Sequence, residues 1–235
     1  MSRSGIWACV PAAGSGARMQ SSVPKQYLPI LGRPVLWRTL ERLCACQSVA
    51  GVMVGFAPRD PHWASLAGLL GGLTKPVATC EGGARRADTV LNMLRALAGR
   101  ATDDDWVLVH DAVRPCVRVE DIERLVQEAG GTADGGLLAL PVADTVKRTD
   151  AGGLVTETVP RAGLWRALTP QMFRLGRLRE ALERTMKMNV EITDEAMAIE
   201  LTGGHPRVVA SHPDNLKITH PGDLTLAELY LKQQS

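Results

Sequence analysis

Residues 5–27 read Gly-Ile-Trp-Ala-Cys-Val-Pro-Ala-Ala-Gly-Ser-Gly-Ala-Arg-Met-Gln-Ser-Ser-Val-Pro-Lys-Gln-Tyr. Gly5–Val10 is a short apolar run, the pattern of a strand covered on both faces. Pro11, Ala12, Ala13, Gly14, Ser15 and Gly16 follow at once. Small residues let backbone N–H groups come close to the oxygens of a phosphate. Arg18 and Lys25 stand just behind them, and two fixed cations suit a polyphosphate. Two other phosphate loops are excluded. A dinucleotide fingerprint needs glycine at position 19, which is Met19, and a Walker A loop needs a Gly-Lys-Ser or Gly-Lys-Thr tripeptide that the chain lacks.

Outward from this stretch, apolar runs alternate with amphipathic segments. Strands are predicted at Gly5–Val10, Val49–Phe56, Pro76–Thr79, Trp106–His110, Gly136–Pro141 and Arg207–Ala210, with a further short strand at Asn215–Thr219. Helices are predicted at Val35–Cys46, Arg86–Ala98, Val119–Ala129, Arg174–Met186, Thr193–Leu201 (with Thr193 as N-cap) and Pro221–Lys232. That order predicts an α/β fold, a mostly parallel sheet with helices on both faces. Ligands of such sheets bind beyond the carboxyl ends of the strands, where the strand order reverses. The segments after Val10 and after Val109 therefore share one rim.

Val142–Val159 breaks the alternation. It is polar, with β-branched stretches around Asp150–Gly153, and reads as a hairpin. A lone hairpin buries too little to be stable, so a protruding β-arm that packs on a partner subunit is expected.

Four more patches bear chemistry. Gly82–Thr89 opens a helix, where free N–H groups and two glycines leave room for a flat base and Thr89 can bond its edge. His110-Asp111-Ala112-Val113-Arg114-Pro115 follows an apolar strand. An acid there can hold Mg²⁺, a hard cation that prefers carboxylate and phosphate oxygens. Lys217 lies in Asn215–Thr219, placed to set an ammonium beside a phosphate. Arg161, in Pro160–Gln171, suits a bidentate grip on a phosphomonoester, with Thr145 and Thr193 as hydroxyl donors.

Composition narrows the partners. A net charge of +2 gives no strong field for nucleic acid or a membrane surface, so local cations must bind any anion. Aromatic residues are 4% of the chain and scattered, which leaves no stacking platform for single strands. Cys9, Cys44, Cys46, Cys80 and Cys116 are an odd set without paired spacing and read as free thiols in a reducing cytoplasm. Neither a signal peptide nor a membrane span is predicted.

Taken in order, Pro-Ala-Ala-Gly-x-Gly-x-Arg-Met, Pro-Lys-Gln-Tyr, Gly-Gly-x-x-Arg-Ala-Asp-Thr, His-Asp-Ala-x-Arg-Pro, Leu-Trp-x-Ala-x-Thr-Pro-Gln, Ile-Thr-Asp-Glu-Ala and Asn-Leu-Lys-Ile-Thr resemble the 2-C-methyl-D-erythritol 4-phosphate cytidylyltransferase family along essentially the whole chain. The resemblance implies a single Rossmann-like nucleotidyltransferase domain over 1–235, with a β-arm at 140–163, and a homodimer with exchanged arms. It implies CTP bound by Pro11, Ala12, Ala13, Gly14, Ser15, Gly16, Gly82, Asp88 and Thr89, with Arg18, Lys25 and Lys217 as the catalytic cations. Asp111, Ala112, Arg114, Thr145, Arg161 and Thr193 are implied to bind the phosphorylated alcohol, the arm residues coming from the other subunit, and Asp111 the Mg²⁺. Thr89 stands where serine is usual, which keeps the hydroxyl, and Pro160 where an acid is common.

The expected chemistry is in-line attack of the substrate's phosphate on the α-phosphorus of CTP, with pyrophosphate leaving. The attacking group is already an anion, so the reaction needs neither a general base nor a covalent nucleophile; it needs charge neutralisation and alignment. Two alternatives stay open on the residues alone. One is a cytidylyltransferase acting on ribitol 5-phosphate; the other is a nucleotide-binding regulatory module without catalysis.

Overall fold

In the computed structural model, which describes residues 5–14, 23–188 and 190–234, alternate side chains of β1 (Ile6–Pro11) enter opposite core layers. Ile6, Ala8 and Val10 pack on one face of the strand, Trp7 and Cys9 on the other. The chain continues through the short pair β2 (Pro29–Ile30) and β3 (Arg33–Pro34), α1 (Val35–Ala45), β4 (Val49–Phe56), α2 (Trp63–Ala67), β5 (Val77–Glu81), α3 (Arg86–Ala96) and β6 (Trp106–Val109). It then forms α4 (Val119–Ala129), β7 (Gly136–Pro141), β8 (Val146–Thr149), β9 (Val155–Val159), β10 (Trp165–Arg174), α5 (Leu175–Lys187), α6 (Glu195–Leu201), β11 (Arg207–Ala210) and α7 (Pro221–Gln233).

Seven strands form one sheet in the order β11-β7-β10-β6-β1-β4-β5. The pairs β1–β4, β1–β6, β4–β5 and β7–β11 are parallel, whereas β10 is antiparallel to both β6 and β7. Helices cover both faces. α1, α4 and α7 pack on the Ile6/Ala8/Val10 side; α3, α5 and α6 pack on the Trp7/Cys9 side. Each fully buried leucine, such as Leu36, Leu40 and Leu43 of α1, contributes about 2 kcal/mol of apolar burial.

The sequence pattern does not mark β10 as a strand. Pro170 inside Trp165–Arg174 argues against a central strand, because proline cannot donate to the ladder. The sheet accommodates it where the β7–β10 register shifts, between Ala167 and Gln171. Asn215–Thr219 is irregular rather than a strand. It is tied instead to the loop after β6, through Ile218 N–H to Val113 O at 2.9 Å and the Arg114 guanidinium to Asn215 O at 2.7 Å. The N-cap of α6 is Asp194, not Thr193: the Asp194 carboxylate accepts the Met197 N–H at 2.9 Å, and the helix starts later than predicted.

β8 and β9 form a separate antiparallel hairpin. Asp150 Oδ1 accepts the N–H groups of Gly152 and Leu154 at its tip, and Gly153 has φ +84°, a conformation that favours glycine. Leu154 and Val155 at that tip are 72% and 61% exposed, the two most exposed of the large apolar side chains among the described residues. The cysteines are free; all but the half-buried Cys80 are buried. Burial and the neighbouring Glu123 push the Cys46 thiol up to about 12, so it stays protonated and inert. No helix among the described residues is long and apolar enough to cross a membrane.

Candidate active site

β1 is the strand at which the order reverses: the chain adds β4 and β5 on one side and returns to place β6 on the other. At the carboxyl ends of β1 and β6 lies a cleft of about 350 Å³. Its walls are Pro11–Gly14 at the end of β1, Lys25 and Gln26, the segment entering α3 (Gly83–Arg86) with Thr89, Asp111–Val113 after β6, and Lys217.

The first loop is pinned at both of its ends. Ala12 N–H extends the sheet ladder to Gly55 O at 2.7 Å. The Gln26 amide donates to Ala12 O and Gly14 O, each at 2.9 Å, from a nearly buried position. Lys25 Nζ donates to Ile218 O at 2.9 Å, so its ammonium sits one residue from Lys217 across the cleft. Ser15, Gly16 and Arg18 lie outside the described residues.

At the start of α3, the Asp88 carboxylate accepts from both the backbone and the side chain of Arg85. The Arg85 N–H donates to Asp88 Oδ2 at 3.0 Å and its guanidinium to Oδ1 at 2.8 Å. The Thr89 hydroxyl accepts from Gly83 N–H at 3.0 Å and donates to Arg85 O at 3.2 Å, and the residue is buried. A side chain at Gly82 would meet Ala13 Cβ at 2.6 Å, so glycine here lets α3 dock against the first loop. Gly82 and Asp88 support the wall without lining the cleft.

Asp111 is the centre of the charge arrangement. Its carboxylate faces Lys217 Nζ at 3.0 Å, Arg114 Nε at 3.2 Å and Arg86 Nε at 3.4 Å. Arg86 in turn grips buried Glu195 with both terminal nitrogens, at 2.6 and 3.1 Å. Burial alone would raise the Asp111 pKa; the Arg86, Lys217 and Arg114 charges outweigh it and hold the group well below the usual carboxylate range. Three cations face two carboxylates, which leaves the cluster net positive and attractive to anions.

Beneath Asp111 runs a buried relay. His110 is fully buried, and burial lowers its pKa to about 4, so its ring is neutral. His110 Nε2 lies 3.1 Å from Arg114 O, which can only accept, so that nitrogen carries the hydrogen. Nδ1 then accepts from the Thr169 hydroxyl at 3.0 Å, and that hydroxyl accepts the Asp111 N–H at 3.0 Å. Asn215 Nδ2 adds a bond to Thr169 O at 2.8 Å. Together these contacts hold the Asp111–Arg114 turn.

The structure thus gathers Pro11, Ala12, Ala13, Gly14, Lys25, Thr89, Asp111, Ala112 and Lys217 around one cleft, with Arg114 buried behind Asp111. Thr145, Arg161 and Thr193 are exposed and do not line it within one chain. The Arg161 guanidinium donates to Ala143 O, and the Thr193 hydroxyl lies 3.4 Å from Met197 Sδ. Gln26, Arg86 and Glu195 received no role from the sequence. A glutamate in a first helical turn reads as a complement to the helix dipole.

Among the described residues no group of three His, Cys, Asp or Glu side chains is placed to hold a metal ion. Asp111 is the one carboxylate that lines the cleft among the described residues. One carboxylate plus phosphate oxygens is a common setting for Mg²⁺, so these residues fit a divalent cation carried in on a nucleotide's phosphates.

The family model described as IspD, 2-C-methyl-D-erythritol 4-phosphate cytidylyltransferase, matches residues 6–233. The protein of that name from Hahella chejuensis (strain KCTC 2396) is 48% identical over 228 residues, covering 97% of this chain and 93% of the relative. That from Aromatoleum aromaticum (strain DSM 19018 / LMG 30748 / EbN1) is 51% identical over 225 residues, covering 96% and 94%. A crystal structure of 4-diphosphocytidyl-2C-methyl-D-erythritol synthase superposes with a TM-score of 0.83 at 37% identity, covering 97% of this chain and 98% of that one. The 2-C-methyl-D-erythritol 4-phosphate cytidylyltransferase from Thermus thermophilus gives a TM-score of 0.77 at 30% identity, covering 97% and 99%.

Proposed function

The chain belongs to the 2-C-methyl-D-erythritol 4-phosphate cytidylyltransferase family, and from that premise we propose how its cleft carries out the family's reaction, the CTP-dependent cytidylylation of 2-C-methyl-D-erythritol 4-phosphate in the non-mevalonate pathway. CTP lies along the first loop, its phosphates toward Gly14, Ser15, Gly16, Arg18 and Lys25. Its base rests near Ala12, Ala13 and the wall built by Gly82, Asp88 and Thr89. The acceptor phosphate enters beside Asp111, Ala112, Arg114 and Lys217.

A phosphate oxygen of the acceptor attacks the α-phosphorus of CTP, the bond to the β-phosphate's bridging oxygen breaks, and pyrophosphate leaves with that electron pair. No protein base is called for, because the nucleophile is already ionised. The obstacle is repulsion between two anions and charge growing on the leaving group, which Arg18, Lys25 and Lys217 offset. Asp111 would hold the divalent cation, proposed to be Mg²⁺, which supplies further charge neutralisation when bound. The observation that carries this reading is the Lys25 ammonium bonded at 2.9 Å to the residue after Lys217, which brings cations from distant chain positions to one cleft.

Residues 1–235 act as a single nucleotidyltransferase domain, and the arm at 140–163 is exchanged in a homodimer. The exposed Leu154 and Val155 support that reading, as does the fact that Thr145 and Arg161 do not line their own chain's cleft: a partner's arm delivers them. Thr193 adds a hydroxyl from the edge of the site. The enzyme works in the cytoplasm, without nucleic acid or membrane. The test is pyrophosphate release from CTP with Mg²⁺ and either 2-C-methyl-D-erythritol 4-phosphate or ribitol 5-phosphate, alongside sedimentation. Release with the first substrate from a dimer is expected. Turnover of ribitol 5-phosphate alone, or full activity of a monomer, would overturn the reading.

A further inference from the structure

We infer that Gln26 is a positioning residue that sets the backbone at Ala12 and Gly14, where the nucleotide loop begins, a role that rests on the reading of that loop as the CTP site. Its side chain is 4% exposed, in the short 3-10 turn Lys25–Tyr27. A carboxamide nitrogen carries two hydrogens, and both are used: one goes to Ala12 O and one to Gly14 O, each at 2.9 Å. Both partners are carbonyl oxygens, which only accept, so the amide has one allowed orientation.

The consequence reaches the cleft. In a trans peptide the C=O and the following N–H point in opposite directions. Fixing the Ala12 carbonyl toward Gln26 therefore turns the Ala13 N–H away from it, and Ala13 lines the cleft. The same side chain joins the two ends of the loop: Ala12 and Gly14 lie before it, and Lys25, the neighbour of Gln26, lies after it. Lys25 is itself anchored to Ile218 O. Gln26 thus sets the spacing between the backbone donors and the ammonium that the triphosphate would meet together. The acceptor phosphate's proposed contacts, Asp111, Arg114 and Lys217, make no hydrogen bond with Gln26 among those the structure shows.

Gln26→Glu is the informative variant. It keeps the shape but turns a double donor into a carboxylate facing two carbonyl oxygens. The KM for CTP is expected to rise by about tenfold or more, with the KM for 2-C-methyl-D-erythritol 4-phosphate within about twofold of the parent. Gln26→Ala, which removes the donors without adding charge, is expected to raise the KM for CTP by a smaller factor. A second signature separates positioning from general loosening. A carboxyl pressed against carbonyl oxygens has a raised pKa, and its protonated form regains one O–H donor. The CTP affinity of Gln26→Glu, read by isothermal titration, should therefore improve relative to the parent as pH falls. Equal rises in both KM values, an unchanged KM for CTP in folded Gln26→Glu, or parallel pH profiles would each overturn the role. A parent enzyme that fails to turn over CTP would instead overturn the functional reading itself, so the two failures are distinguishable.

Discussion

Acidification should weaken this fold through His110. The ring is fully buried, and burial holds its pKa at about 4 against an ordinary value of 6.5. A base whose pKa is lower in the folded state takes up its proton preferentially when the chain unfolds. Between pH 6.5 and about 4 the unfolded state therefore binds more protons, and stability falls as the pH falls. Above that window the contribution is fully present. At about 1.4 kcal/mol per pKa unit the whole effect is about 3 kcal/mol, of which about 2 kcal/mol is gone by about pH 5. The structure says where the cost arises. A proton on Nδ1 would meet the Thr169 hydroxyl, which donates there, and so would disturb the hydroxyl that accepts the Asp111 N–H. Urea unfolding at about pH 7.5, 6 and 5 would measure the loss, with His110→Asn as the non-titrating reference. The other four histidines are common to both proteins and cancel in the comparison. The parent should lose about 2 kcal/mol more than the variant over that range. Parallel pH profiles would refute the assignment, whatever the variant's absolute stability.

Two further outcomes follow from the proposed reaction. Lys25→Ala should lose about 2 to 4 kcal/mol of transition-state stabilisation, the range for a preorganised charge donor, seen as a fall in kcat of the folded variant; near-parental turnover would remove Lys25 from the chemistry. Arg161→Ala should raise the KM for the phosphorylated alcohol and leave that for CTP little changed, whereas an effect confined to CTP would contradict its placement at the acceptor.

The same residues show how far a sequence can be read. Ile6, Trp7, Ala8, Cys9 and Val10 are apolar at every position, and that local pattern is enough to announce a strand with two buried faces and hence a layered α/β fold. The β8–β9 hairpin was legible from its β-branched stretches around the Asp150–Gly153 turn. β10 was not, because Pro170 speaks against a central strand and only the register shift beside it explains how the sheet tolerates it. The N-terminus of α6 was placed too early because Thr193 and Asp194 both suit an N-cap, and only the bond to Met197 N–H decides between them.

The chain's own order of residues was sufficient for the layered sheet, the small-residue loop after its first strand, and the cations Lys25 and Lys217 with the acid Asp111 as the groups of interest. Those features rest on periodicity and short-range chemistry, which neighbouring residues carry by themselves. What Asp111 does was decided elsewhere. Its low pKa depends on Arg86 and Lys217 arriving from other elements, and Arg86 depends on Glu195, 109 positions along the chain. Gln26 became visible only when its amide met Ala12 and Gly14, 14 and 12 positions earlier in the chain. Electrostatic neighbours and paired hydrogen-bond donors are set by folding distant segments together, and no local pattern encodes which of them will meet.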